Sequence, residues 1–131
     1  MPAEYVPGKC NIGARGRAIR LTTGVGIIAI FIGFDLLALG SVSPVFRLFL
    51  FIPFYVGLLT ALEGTMSFCV LHASRGTYDF HEPGGMAFGR SETKMEVGSD
   101  EWRRLDRRKA RLMHVEAVLG ALILAGLLAL A

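Results

Sequence analysis

The stretch from residue 21 to residue 40 constrains the fold of this chain most, because its twenty residues include only one ionisable side chain, Asp35. Twenty helical residues reach about 30 Å, the thickness of the hydrocarbon core of a bilayer. A second apolar stretch covers residues 45–71, and a third covers residues 112–131. The sequence therefore predicts an all-α integral membrane protein: a transmembrane helical hairpin plus a third, C-terminal transmembrane helix.

Composition and charge support a membrane location over nucleic-acid binding. The chain is 53% hydrophobic and 19% charged, whereas soluble domains carry about 25% charged residues. The net charge is +3, but the basic residues flank the apolar stretches. That arrangement favours the anionic surface of a membrane as the partner of these charges. The lipid bilayer is thus the expected environment, and nucleic acid is not an expected partner.

Prolines and capping residues indicate where the helices begin. Pro44 can open the second helix, since its missing N–H falls where no partner is needed, and Pro53 should kink that helix. Ser99 is a good N-cap, followed by Asp100 and Glu101 where the helix dipole favours acids. The predicted parts are a hairpin (1–76), a loop (77–98) and a basic amphipathic segment that continues into the third transmembrane helix (99–131).

The distribution of Lys and Arg predicts the orientation. Four lie before the first apolar stretch, nine lie between the second and the third, and only Arg47 lies near the hairpin turn. Basic residues accumulate on the cytoplasmic side of membrane proteins. We therefore expect a multi-pass protein of the cell inner membrane, with a cytoplasmic N-terminus and loop and with its hairpin turn and C-terminus outside.

Small residues indicate the helix faces that pack, because close contact drives helix association in lipid. We expect the small faces of the first two helices to meet in the hairpin. The third helix repeats alanine every four residues, which predicts a surface for another subunit, although alanine and leucine also fill generic transmembrane helices. The expected contact residues are Gly26, Gly33 and Gly40 in the first helix, Gly57 and Gly64 in the second, and Ala121 and Ala125 in the third.

Two acids inside apolar stretches call for partners, because a charge in the membrane costs a few kcal/mol. Glu63 lies level with Arg20 across the predicted hairpin, so we expect these two residues to form an ion pair. Asp35 points nearly opposite the Gly26 face on a helical wheel. We therefore expect it to contact the third helix or another subunit, with hydration at the membrane boundary as the alternative.

Two cysteines and two histidines are candidates for chemistry. Cys10 and Cys69 should both lie near the cytoplasmic face, where they form a thiol pair or simply pack as small apolar side chains. His72 and His114 should lie at the membrane boundary, where they either ligate haem or a pigment or bond to backbone and lipid. No specific cofactor follows from this pattern.

The chain lacks the patterns expected of a metal site or an enzyme. His81 and Glu82 are too few for a zinc site, which usually needs four ligands. The sequence contains no phosphate-binding glycine motif and no nucleophile–base constellation. We expect neither a metal ion nor an enzymatic activity.

Short motifs in residues 10–76 resemble the YgaP-like two-helix transmembrane domain family. The similarity lies in Cys10-Asn11-Ile12-Gly13, in Gly16-Arg17-Ala18-Ile19-Arg20, and in Phe68-Cys69-Val70-Leu71 with Gly76. The chain departs from the family pattern at Gly16, where the family often has Asp, and at Val70, where it often has Pro. The resemblance implies a transmembrane hairpin. Some family members carry a rhodanese sulfurtransferase module, and no such module follows here.

Two functional classes follow from these observations. The first is a small structural or accessory subunit of a larger membrane assembly, packed against other subunits or against further copies of itself. The second is a free-standing membrane protein that handles thiols or sulfur through Cys10 and Cys69. Contacts that cover Asp35 and the loop would favour the first class, and adjacent cysteines in a solitary chain would favour the second.

The predicted orientation can be tested by cysteine labelling in intact cells. A cysteine placed at Ser43 should react with a membrane-impermeant thiol reagent added outside, whereas one placed at Ser91 should not. The unsubstituted chain, labelled in the same way, reports any reaction of its own cysteines. The reverse pattern of labelling would contradict the predicted orientation.

Overall fold

The computed structural model describes residues 5–80 and 95–130, most of which are helical. Three helical stretches in this part of the chain are long and apolar enough to cross a membrane: Ala14–Ala38, Pro44–Met66 and Asp100–Leu130. The predicted mostly helical chain with three candidate spans is therefore confirmed. The elements are α1 (Ala14–Ala38), α2 (Pro44–Arg47), a 3-10 turn (Leu48–Leu50), α3 (Phe51–Met66), α4 (Val70–Arg75), β1 (Thr77–Tyr78), β2 (Met95–Glu96) and α5 (Asp100–Leu130).

The second apolar stretch does not form one continuous helix from residue 45 to residue 71. Its helix is interrupted by a 3-10 turn and ends earlier than predicted. Its α-helical hydrogen bonding gives way to the 3-10 turn one turn before Pro53, whose ring nitrogen cannot donate to the carbonyl of Phe49. It then ends at Met66, because Ser67 adopts a left-handed conformation with φ 55° and ψ 40°. The expected continuation to residue 71 is thus wrong, and α4 is a separate short helix.

Helices α1 and α3 approach each other closely enough to need glycine. A Cβ atom added to Gly24 would lie 2.6 Å from the carbonyl oxygen of Gly57, and one added to Gly64 would lie 2.6 Å from Cβ of Leu21. Real side chains do not tolerate such distances, so the two backbones meet directly at these glycines. The expected packing role of Gly57 and Gly64 is confirmed.

The predicted contact face of α1 is wrong. Apart from the neighbouring backbone of α1 itself, no atom of the described residues lies within 4 Å of a Cβ atom built on Gly26, Gly33 or Gly40. Gly24 precedes Gly26 by two residues, which is about 200° around a helix, so the real contact lies on nearly the opposite side. Asp35 follows Gly24 by about three full turns and therefore faces α3 rather than away from it.

The alanine stripe of α5 is buried inside the chain itself. Ala121 and Ala125 are almost fully buried, and they form an apolar cluster with Leu50 and Phe54. Alanine at these positions lets α5 pack close to α3, as small residues do in membrane proteins. The stripe is a helix-packing surface as predicted, but its expected role as a surface for another subunit is wrong, because α3 already occupies it.

The segment predicted as a loop is bounded by secondary structure. Strands β1 and β2 pair antiparallel, with Thr77 opposite Glu96 and Tyr78 opposite Met95. Next to this pair, α4 packs against the basic part of α5. Residues 81–94 of the predicted loop, including His81, Glu82 and Ser91, lie outside the described residues. We call the region formed by residues 5–13, 67–80 and 95–106 the polar end.

A pair of glycine substitutions tests the packing of α1 on α3. Gly24→Ala should lower the free energy of unfolding by about 1–3 kcal/mol, because its methyl group would collide with backbone atoms that cannot move aside. Gly26→Ala is the matched control and should be neutral or stabilising by about 0.5–1 kcal/mol. Unfolding in mixed micelles titrated with denaturing detergent measures both. Equal effects of the two substitutions would contradict this packing.

Candidate functional site

Asn11 organises the polar end through hydrogen bonds to two separate segments. Its side-chain Nδ2 donates to the carbonyl of Cys69 at 3.0 Å, and its Oδ1 accepts from the Cys69 N–H at 2.6 Å. Its own N–H donates to the carbonyl of Ser67 at 3.1 Å, and its carbonyl accepts from the Asp79 N–H at 2.9 Å. Asn11 is fully buried. It thus satisfies the backbone groups left unpaired where the chain turns from α3 into α4.

The glycine two residues after Asn11 is required by the same contact. Ile12 pairs with Asp79 as an isolated parallel bridge, which brings the chain at Phe80 against Gly13. A Cβ atom on Gly13 would collide with the carbonyl group of Phe80. The Asn-x-Gly element that supports the family resemblance therefore has a packing role in this chain.

The predicted ion pair of Arg20 and Glu63 is present in the structure. Nε of Arg20 lies 3.7 Å from Oε2 of Glu63, and both side chains are about nine-tenths buried. The same Glu63 oxygen accepts a hydrogen bond from the Val70 N–H at 3.2 Å. Nearby, Nε of Arg17 donates to the carbonyl of Gly64 at 2.9 Å. The carboxylate therefore joins α1, α3 and the first turn of α4.

Asp35 has a partner within the chain, so the expected contact with the third helix or another subunit is wrong. Arg47 in α2 donates from Nε to Oδ1 at 2.9 Å and from its terminal nitrogen to Oδ2 at 2.6 Å. Such a two-point contact is among the strongest charge-assisted pairs. The Asp35 side chain is fully buried, and that of Arg47 is nearly so. The sequence placed both residues near the turn but did not reveal that they meet.

Both cysteine thiols are buried and free, and their environments oppose ionisation. Burial raises the pKa of Cys10, and burial with the nearby charge of Glu63 raises the pKa of Cys69 to about 12. Asn11 holds the two segments together, so both thiols lie at the polar end as expected. A reactive thiol needs an accessible, positively charged environment that lowers its pKa. The geometry therefore gives no support to thiol chemistry at Cys10 and Cys69.

The two predicted ligand histidines serve different contacts. His72 is buried, and its Nδ1 lies 2.8 Å from Oγ1 of Thr77 at the start of β1. His114 stacks on Tyr55, and its Nδ1 lies 2.5 Å from the tyrosine hydroxyl. Each histidine is thus held by a side chain from a different element, His72 by Thr77 of β1 and His114 by Tyr55 of α3.

Across residues 5–80 and 95–130, no group of three or more His, Cys, Asp or Glu side chains is arranged to hold a metal ion. In the same part of the chain, every buried side-chain nitrogen and oxygen has a hydrogen-bond partner. The polar groups of the site are therefore satisfied by one another. Their hydrogen bonds hold the segments of the polar end together.

Asp106 anchors the start of the chain, which the sequence reading missed. Its carboxylate accepts from the Tyr5 hydroxyl and from the Gly8 N–H, both at 2.7 Å. The Tyr5 ring also stacks on Tyr78, with ring centres 4.5 Å apart. Burial and the bond to Asp106 raise the pKa of Tyr5. The sequence feature that could have indicated this role is that Asp106 is the single acid among the basic residues of positions 103–111.

Neither a scan against protein-family models nor searches of curated proteins and solved structures finds a match for this chain. The similarity to the YgaP-like family therefore remains a prediction that rests on the short motifs. What the structure adds is a physical role for two motif residues, Asn11 and Gly13, and for the backbone of Cys69.

A double-mutant cycle tests the buried pair of Asp35 and Arg47. Asp35→Asn and Arg47→Gln should each lower the free energy of unfolding by about 3–5 kcal/mol, because each leaves a buried charge without its partner. The double variant should lose much less than the sum. The more open pair of Arg20 and Glu63 provides the comparison, and its coupling energy should be smaller. Additive effects at Asp35 and Arg47 would contradict the contact.

Thiol labelling as a function of pH tests the cysteine environments. With a pKa of about 12, Cys69 should hold roughly a thousandfold less thiolate at pH 8 than an ordinary cysteine, and burial should slow its reaction further. A cysteine introduced at exposed Ser43 is the internal control and should react readily. Mass spectrometry after a timed pulse of iodoacetamide on the folded protein measures each rate. Equal rates at Cys69 and at position 43 would contradict the described burial.

Proposed function

We propose that this protein is a small packing subunit of a larger membrane assembly. It sits in the cell inner membrane with the polar end in the cytoplasm, and it associates through the outer face of α1. The neighbour is another membrane subunit or a second copy of the same chain. The protein contributes helix surface rather than chemistry, in keeping with polar groups that satisfy one another.

The observation that carries this proposal is an open small-residue face on α1. Gly26 and Gly33 lie seven residues apart on this face, and a Cβ atom at either would meet no other part of the described chain within 4 Å. A helix in lipid gains nothing from an open glycine and loses helix propensity by it. A neighbouring helix, in contrast, can approach closely at such a position and gain contact area. The glycines are thus best explained by a neighbour.

Contacts within the chain already occupy several of the surfaces that were expected to meet another subunit. Ala121, Ala125 and Asp35 all have partners inside the chain, so none of them supports association with another subunit. Gly24, Gly57 and Gly64 are likewise used between α1 and α3. The support therefore comes from the α1 face alone, which lies away from α3.

The charge distribution supports the proposed orientation. The single basic residue near the hairpin turn, Arg47, is neutralised by Asp35 in a buried pair. The remaining Lys and Arg residues lie in or next to the polar end or in the long loop. By the count of Lys and Arg, one basic residue lies near the turn and thirteen lie elsewhere, which is the asymmetry that orients membrane proteins.

Filling the open face tests the proposal. The double variant Gly26→Leu, Gly33→Leu keeps α1 apolar, so insertion should persist, while the bulky side chains should block close approach of a neighbour. We expect association to fall about tenfold or more. Quantitative mass spectrometry of proteins co-purified in mild detergent measures loss of a partner subunit, and pull-down between two differently tagged copies measures loss of self-association.

Gly126→Leu is the matched control, because Gly126 is an α5 glycine with equally open surroundings. This variant should associate as the parent does. Two results would contradict the proposal: the parent chain associates with neither a partner nor itself, or the α1 double variant associates as strongly as the parent. Equal losses in both variants would indicate a general effect of leucine rather than a specific face.

A further inference from the structure

A groove of about 300 Å³ lies between α4 and α5 where the basic part of α5 meets its apolar part. Val70 and Ala110, both buried, form an apolar floor. Ser74 lies on the α4 side, and Arg107, Arg111 and His114 lie on the α5 side. The volume is at the small end of the range for ligand sites in proteins.

The charged rim of this groove is entirely basic. Arg107 and Arg111 are four residues apart, so they stand one turn apart on the same face of α5 and are both exposed. Within the described residues, neither guanidinium takes part in an ion pair or a hydrogen bond. Among the described residues that line the groove there is no acid. Two adjacent guanidinium groups without an acid favour a ligand with a phosphate group, which both can contact through two-point hydrogen bonds.

The other two polar side chains of the groove, Ser74 and His114, are already engaged in hydrogen bonds within the protein. The Ser74 hydroxyl already donates to the Leu71 carbonyl at 2.9 Å, so it forms part of the wall and does not supply a donor. Nδ1 of His114 is occupied by the Tyr55 hydroxyl. In the described part of the chain, the groove therefore presents the guanidinium donors of Arg107 and Arg111 and no carboxylate.

The α5 face continues below the two arginines as an apolar surface. Val115, Leu119 and Leu122 follow Arg111 at spacings of four, four and three residues, so they share its face. Each of these side chains is about half exposed. A ligand with its phosphate at Arg107 and Arg111 would therefore meet apolar side chains in the direction of the candidate span, which matches the shape of a phospholipid.

We propose that the groove between α4 and α5 is a binding site for an anionic phospholipid. Arg107 and Arg111 hold the phosphate, Val70 and Ala110 contact the glycerol region, and the acyl chains lie along the α5 face below. Basic pockets between helices at the membrane boundary commonly bind such headgroups. This site is independent of the proposed packing subunit, since it uses α4 and α5 rather than the outer face of α1.

A second basic surface on α5 provides the control for this proposal. It is a shallow depression of about 430 Å³ formed by α5 side chains alone, and it includes the acid Glu101. Its described lining residues all belong to α5, and the one apolar residue among them, Leu105, is exposed. Arg104 lies in this depression and outside the groove, so Arg104→Gln removes the same charge as Arg107→Gln from the same helix without altering the groove. The depression is lined by Glu101, Arg104, Leu105, Arg108 and Arg111.

Lipid retention by the full-length protein tests the site. Purified protein in non-ionic detergent is titrated with phosphatidylglycerol, with phosphatidylcholine of the same acyl chains, and with inorganic phosphate, and bound species are counted by native mass spectrometry. We expect phosphatidylglycerol to bind at least tenfold better than phosphatidylcholine, and millimolar inorganic phosphate to leave it in place. Arg107→Gln should weaken phosphatidylglycerol about tenfold, and Arg104→Gln less than twofold.

A second pair of variants keeps α5 unchanged. Ser74→Glu places an acid on the α4 wall and should weaken phosphatidylglycerol at least as much as Arg107→Gln, whereas Ser41→Glu at the distant turn should have no effect. Three results would overturn the proposal: equal losses from Arg104→Gln and Arg107→Gln, equal binding of both lipids, or displacement of the lipid by inorganic phosphate. The first would indicate diffuse surface charge, the second an apolar surface only, and the third a simple phosphate site.

Discussion

The backbone contact between α1 and α3 at Gly24, Gly57 and Gly64 determines how the rest of the structure is arranged. Because a Cβ atom at any of these three glycines would collide with α1 or α3, the close approach fixes which sides of the two helices face each other. That rotation directs Asp35 towards Arg47 at one end of the hairpin and Arg20 towards Glu63 at the other. It also brings Asn11 to the segment that follows α3. Three polar contacts thus depend on the close approach of α1 and α3 at these glycines.

The charged pairs at the two ends of the hairpin have different environments. The pair of Asp35 and Arg47 is almost completely buried and makes two short hydrogen bonds. The pair of Arg20 and Glu63 is looser, and its acid also accepts from the backbone of α4. A buried charge is tolerated only when its partner is close and well aligned. The first pair therefore fixes the turn, while the second joins α1, α3 and α4 next to the polar end.

The surfaces that remain open differ in chemistry and suggest different neighbours. The outer face of α1 offers glycines to a helix, whereas the groove between α4 and α5 offers two arginines above an apolar face. The alanine stripe of α5 is the surface that the sequence reading favoured for a partner, but α3 already covers it. Assigning each surface required knowing which of several equivalent small-residue faces the chain uses itself.

The sequence by itself determined the features that depend on local composition. The three apolar stretches, the helix start at Asp100 and the level at which Glu63 meets Arg20 all follow from hydropathy, capping and length. The early end of α3 at Met66 could not be predicted in this way, because the left-handed backbone conformation of Ser67 is not apparent from the residue types. The rotation of α1 also required the tertiary structure: Gly24 and Gly26 are equivalent by residue type, and only packing distinguishes them. For the same reason, Arg47 was recognised as a charge near the turn but not as the partner of Asp35, since that pairing depends on which face of α1 meets the second apolar stretch.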